Sequence, residues 1–208
     1  MQVPKFFDII VHPRETAKAQ ISKVNMKEAQ KTYLILGAIV GLFIALILLV
    51  IFSVAGSGSN QSGMDDVLAG LGLAIIIVVP VVMALATLVF AYITNGIQYL
   101  IAQVFGGKGK FETHFYVFSR TLWPLAVTGI IMFVLSAIPI IGWLIPFFWQ
   151  LYVIYLSAIL ISVIHQVSMP KAFAIELLPL VLGFIIASIV AATIVAGIIA
   201  SLGVGLIG

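Results

Sequence analysis

Residues 121–170 read TLWPLAVTGIIMFVLSAIPIIGWLIPFFWQLYVIYLSAILISVIHQVSMP, fifty positions without Asp, Glu, Lys or Arg. About 20 apolar residues carry a helix across the hydrocarbon core of a bilayer. This stretch is therefore long enough for two crossings and a turn. SAIPIIG supplies the turn, because Pro139 and Gly142 favour a tight reversal. The division predicts one span over about Phe115–Ala137 and another over about Gly142–His165.

The rest of the chain rations charge in the same way. Thr32–Met64, Val67–Gly107 and Leu177–Gly208 carry none. The first of these runs predicts a span at Tyr33–Ala55, followed by the Gly/Ser-rich segment GSGSNQSGMDD. Val67–Phe105 exceeds one crossing, yet VVPVV around Pro80 offers no polar turn residues. It is read as one long helix bent at Pro80. After QVSMPK, where Pro170 suits a helix start, the last span runs over about Ala172–Ala200. The fold class is all-α, a polytopic transmembrane bundle of five spans.

Composition agrees. Hydrophobic residues make up 63% of the chain and charged residues 8%, against about one quarter charged in an ordinary soluble domain. No soluble domain of any size is expected, and no nucleic-acid partner. The absence of cysteine excludes disulfides, thiolate metal sites and cysteine nucleophiles. No cleavable signal peptide is read at the start, since the first apolar run is itself long enough to be a retained anchor.

Five spans put all ten Lys and Arg residues on one side and only Asp65 and Asp66 on the other. Basic residues next to spans stay cytoplasmic, so the N-terminus is expected inside and the C-terminus outside. Residues 1–31 form a basic cytoplasmic arm and residues 32–208 the transmembrane domain, in a cell (plasma) membrane. In the arm, Pro13 suits the start of a short helix. Asn25 and Glu28 have capping-box spacing, which starts the next helix near Met26. Phe6, Phe7, Ile9, Ile10 and Val11 suit shallow insertion, with Lys18, Lys23, Lys27 and Lys31 facing anionic lipid. The blander reading is a basic topogenic flank.

Few residues suggest chemistry. GGKGK (Gly106, Gly107, Lys108, Gly109, Lys110) lacks the hydroxyl and the preceding strand of a phosphate loop, and its glycines are read as a helix stop and turn. His12, His114 and His165 show no ligand spacing, so neither a metal nor another cofactor is expected. Glu176 is the lone acid of the last third. A structural pairing with Lys171 or Arg120 is the expected role, with a proton or ligand site as the sharper one. Asn95, Gln98 and Tyr99, and Gln150 within the fourth span, suit hydrogen bonds between helices. Glu176, His165, Asn95 and Gln98 are the candidate polar site. Gly37 and Gly41 form a GxxxG, and Ser188, Ala192, Ala196 and Ala200 recur every four residues. Such flat faces let helix backbones approach closely, here within the bundle or between copies in a homo-oligomer. Packing within the bundle is the expected use.

With these elements placed, the chain resembles the Yip family of Ypt/Rab-interacting membrane proteins, in its prokaryotic form. The features in order are a proline-bearing basic arm (FFDIIVHPRETAKA) and a loop after the long second span (FGGKGKF). A proline early in the third span (RTLWPL), a hairpin (IPIIGWL) and a histidine-containing turn (VIHQVSMPKAF) follow. The resemblance implies five helices, a cytoplasmic N-terminus and no established enzymatic chemistry. Eukaryotic members are linked to Rab GTPases and vesicle traffic, and carry a longer cytoplasmic region with a DLYGP motif. This chain has about 31 residues before its first span and no DLYGP, so GTPase binding is not carried over. The expected function is non-enzymatic: organising membrane lipid or protein partners through the basic face. The alternative is a small transporter or channel subunit using Glu176.

Overall fold

The computed structural model describes residues 6–56, 64–138 and 142–204. Helices dominate them: α1 (Asp8–Val11), α2 (Pro13–Ile21), α3 (Met26–Gly56), α4 (Met64–Val104), α5 (Phe111–Leu135), α6 (Leu144–His165) and α7 (Met169–Val204). The last five are each long and apolar enough to cross a membrane. Pro139, Ser59 and most of the Gly/Ser-rich segment lie outside the described residues.

Several helix ends follow from local chemistry. Pro13 occupies the first turn of α2, where its missing N–H costs nothing. The Glu28 N–H donates to Asn25 Oδ1 at 3.2 Å, which caps the start of α3. α4 continues as one helix through Pro80. Gly106 closes α4 with φ +83°. Its N–H donates to Gln103 O, and the Gly107 N–H to Ala102 O. That pair of bonds is a Schellman cap, which favours glycine at the left-handed position. At the α5–α6 turn, the Gly142 N–H donates to Ile138 O. A Cβ on Gly142 would lie 2.0 Å from Ser136 O, so the turn has room only for glycine.

α3 and α4 pack antiparallel through Gly37 and Gly41. A Cβ at Gly37 would meet Thr87 Oγ1 at 2.6 Å and Met83 O at 2.7 Å; one at Gly41 would meet Pro80 Cα at 2.6 Å. Backbone on backbone is the contact a small-xxx-small face permits.

The buried core is not spread along the spans. It gathers where the basic residues are, around Phe115, Tyr116 and Val117 of α5, Leu160, Ile161 and Ile164 of α6, and Ala172 and Ile175 of α7. Beyond this head the helices display their apolar side chains outward. Every residue of α7 from Leu177 to Ile198 is exposed except half-buried Pro179, with Phe184 at 74%.

In the arm, two of the five apolar residues read for shallow insertion turn to the protein instead. Ile9 is buried in the core and Ile10 packs against it, while Phe6, Phe7 and Val11 are exposed. α1 packs on α5, and α2 on α5 and α6. Two apolar residues per turn are enough to join a helix to a protein core, and composition does not distinguish that from joining lipid. Lys18, Lys23, Lys27 and Lys31 are exposed around the head.

The small-residue ladder of α7 also differs from its expected use. Ser188, Ala192 and Ala196 are exposed instead of packed within the chain. Ala192→Leu and Ala196→Leu are therefore expected to leave the detergent-solubilised monomer as stable as Ile194→Leu does, in a thermal melt. A loss confined to a larger species on size-exclusion chromatography would place the ladder between copies. A fall in monomer stability would contradict the exposed placement.

Candidate functional site

The head is built where five segments end together: the tail of α4, the glycine loop 105–110, the start of α5, the end of α6 and the start of α7. At its centre are two histidines. His114 and His165 are both 0% exposed, and His114 Nδ1 lies 3.0 Å from His165 Nε2. The contact needs one ring to donate and the other to accept, and the tautomers decide which does which. Phe118 stacks on His114 with centroids 4.5 Å apart, and Tyr99 lies 6.0 Å from His165. The outer nitrogens, His114 Nε2 and His165 Nδ1, have no hydrogen-bond partner among the described residues.

The glycine loop docks on this pair. The Lys108 N–H donates to His165 O at 2.9 Å, and Gln103 Nε2 donates to Gly109 O at 3.1 Å. A Cβ on Gly107 would sit 3.0 Å from His165 Nδ1, and one on Gly109 2.8 Å. Glycine at these positions thus serves close approach of backbone to ring, in addition to ending the helix. Gln166 takes the left-handed conformation at the end of α6, and Ser162 Oγ donates to Val167 O, tying the turn into α7.

Glu176 is 8% exposed. Its partner corrects the expected pairing: Gln98 Nε2 donates to Glu176 Oε2 at 2.8 Å, with Ser157 on the same carboxyl. Lys171 Nζ instead donates to Phe105 O, and Arg120 is exposed on α5. Asn95 turns to the other side of α4, where its Nδ2 donates to Tyr33 OH and Ala91 O. The four candidate polar residues thus divide among three partners: Gln98 holds Glu176, Asn95 holds α3, and His165 holds His114. Gln150 is exposed on α6, not turned toward another helix.

The expected site lacked His114 as a member. Its separation of 51 positions from His165 carries no local signal. Chemically, two rings joined by one hydrogen bond can hold or pass a proton. Among the described residues neither ring bonds to a carboxylate or a hydroxyl, the arrangement a nucleophile and its base require. Also among those residues, no three His, Cys, Asp or Glu side chains come together as metal ligands.

The family model for the Yip1 domain matches residues 7–191, which takes in both arm helices, the glycine loop and both histidines. The chain belongs to the Yip1 domain family. No curated relative and no solved structure matches it. The Yip1 domain match and the five apolar helices make this an integral membrane protein. The match ends inside the exposed part of α7, so every element that builds the head falls within the domain.

Proposed function

We propose that this is a non-enzymatic, prokaryotic-type Yip protein that organises lipid and protein partners at the inner face of the plasma membrane. Its head faces the cytoplasm and its C-terminus lies outside. One observation carries the reading: Asn95, His114, His165 and Glu176, four of the buried polar side chains, sit in the head, ringed by exposed Lys and Arg. A transport route would instead need polar lining along the spans, as in broken-helix transporters.

Two measurements test it. The chain has no cysteine, so single cysteines placed at Ser59 and Lys108 report sidedness. The first is expected to label from outside and the second only after permeabilisation. Reversal of that pattern would sink the orientation. In liposomes the purified protein is expected to show no solute or ion flux. Flux that disappears in Glu176→Gln would instead favour a transporter or channel built on the Gln98–Glu176 contact.

A further inference from the structure

α2 packs along α6 and leaves open space beside the contact. Tyr152 OH donates to Ile10 O and fixes the arm partway up α6. Two adjoining clefts run between these elements. One, of about 490 Å³, is lined by Arg14, Lys18, Ile21, Ser162, Val163 and Gln166. The next, of about 420 Å³, shares Arg14 and continues along Tyr155, Tyr152, Ile159 and Met169.

We infer that this groove holds an anionic phospholipid, with the phosphate between Arg14 and Lys18 and an acyl chain along the tyrosines. Arg14 and Lys18 are four residues apart on α2, so both cations stand on one face. The lining of the first cleft contains those two cations and no carboxylate. A guanidinium and an ammonium together suit a phosphate diester, the first by paired hydrogen bonds and the second as a point charge. Gln166 adds a neutral donor at the rim.

The second cleft explains why the anion carries a tail. Tyr155 and Tyr152 lie 11 and 14 residues up α6 from Gln166, roughly 16–21 Å along the axis. The second cleft is mixed, with His12, Arg14 and Glu15 on the arm side and Tyr152, Tyr155 and Ile159 on α6; it is the α6 wall that gives an acyl chain an aromatic and aliphatic track in the direction of the spans. Tyrosines are favoured at the membrane–water boundary. The charge of Glu15 confines an anion to the Lys18 end. The carbonyl end of α6 works against an anion. The Lys108 N–H already occupies His165 O, which weakens that opposition.

The inference rests on the reading of the basic face as lipid-contacting, and the experiment separates the two. Native mass spectrometry on the full chain in detergent, titrated with phosphatidylglycerol, measures retention. Arg14→Gln with Lys18→Gln removes the groove cations. Lys23→Gln with Lys27→Gln removes the same charge elsewhere, and all four residues are exposed, so none is needed for the core. The groove pair is expected to lose at least tenfold in affinity and the control pair less than twofold. Tyr155→Ala is expected to weaken the lipid but not glycerol phosphate, which should compete poorly against it. Equal losses in the two pairs would overturn the groove and leave a diffuse basic face. No loss in either would overturn both readings. Glycerol phosphate binding as tightly as the lipid would make this a free-phosphate site and overturn the lipid assignment.

Discussion

Gly109→Ala is expected to destabilise the protein by about 1–3 kcal/mol, the range for overpacking a filled site, and to lower its melting temperature in detergent by several degrees. The added methyl would lie 2.7 Å from Ile164 O and 2.8 Å from His165 Nδ1. The first neighbour is backbone and the second a fully buried ring, so neither moves aside cheaply. Gly107→Ala meets Ala102 O at 2.7 Å and belongs to the same class. Gly96 and Gly129 are the comparison. A Cβ there meets nothing within 4 Å, and both lie inside helices. Their replacement by alanine is expected to stabilise by roughly 0.5–1 kcal/mol, through the lower backbone entropy of the unfolded chain. If Gly109→Ala melts with Gly96→Ala, the loop does not dock on His165.

His165→Ala is expected to cost more, about 3–5 kcal/mol, as for other large buried side chains cut to alanine. It empties the centre of the head and strips His114 of its hydrogen-bond partner, and an unmatched buried polar group adds its own penalty. His114→Ala is expected to do nearly the same from the other side. Because the two rings share one bond, the double variant should cost clearly less than the sum of the single ones. Independent sites add to within about 0.5 kcal/mol. Additivity of that quality, in a denaturant series on the four proteins, would mean that the rings do not interact.

The elements were legible in the sequence wherever the cause is local. Charge-free runs locate five apolar helices, Pro13 and the Asn25–Glu28 spacing mark helix starts, and Gly106 marks a stop. The absence of turn residues around Pro80 is enough to keep α4 whole. What escaped depends on partners far away along the chain. Gln98 and Glu176 are 78 positions apart, and the choice between Gln98 and Lys171 as partner is made by how α4 and α7 meet. Ile9 is equally apolar whether it enters lipid or protein. The α7 ladder has the composition of a packing face, yet composition does not supply a facing helix.

The gathering of the core at one end has a mechanical consequence. α7 is clamped at the head and exposed from Leu177 to Ile198 except at Pro179, whereas α3 and α4 stay packed together through Gly37 and Gly41. A rod held at its base tilts with little resistance from protein contacts, and tilt is how long apolar helices accommodate thinner bilayers. Tilt of α7 is therefore the expected response to a change in bilayer thickness. The histidines and their glycine loop sit at the pivot, where such movement is smallest. Such tilt would move the outer part of α7 and leave the geometry of the hub and of the basic face around it unchanged.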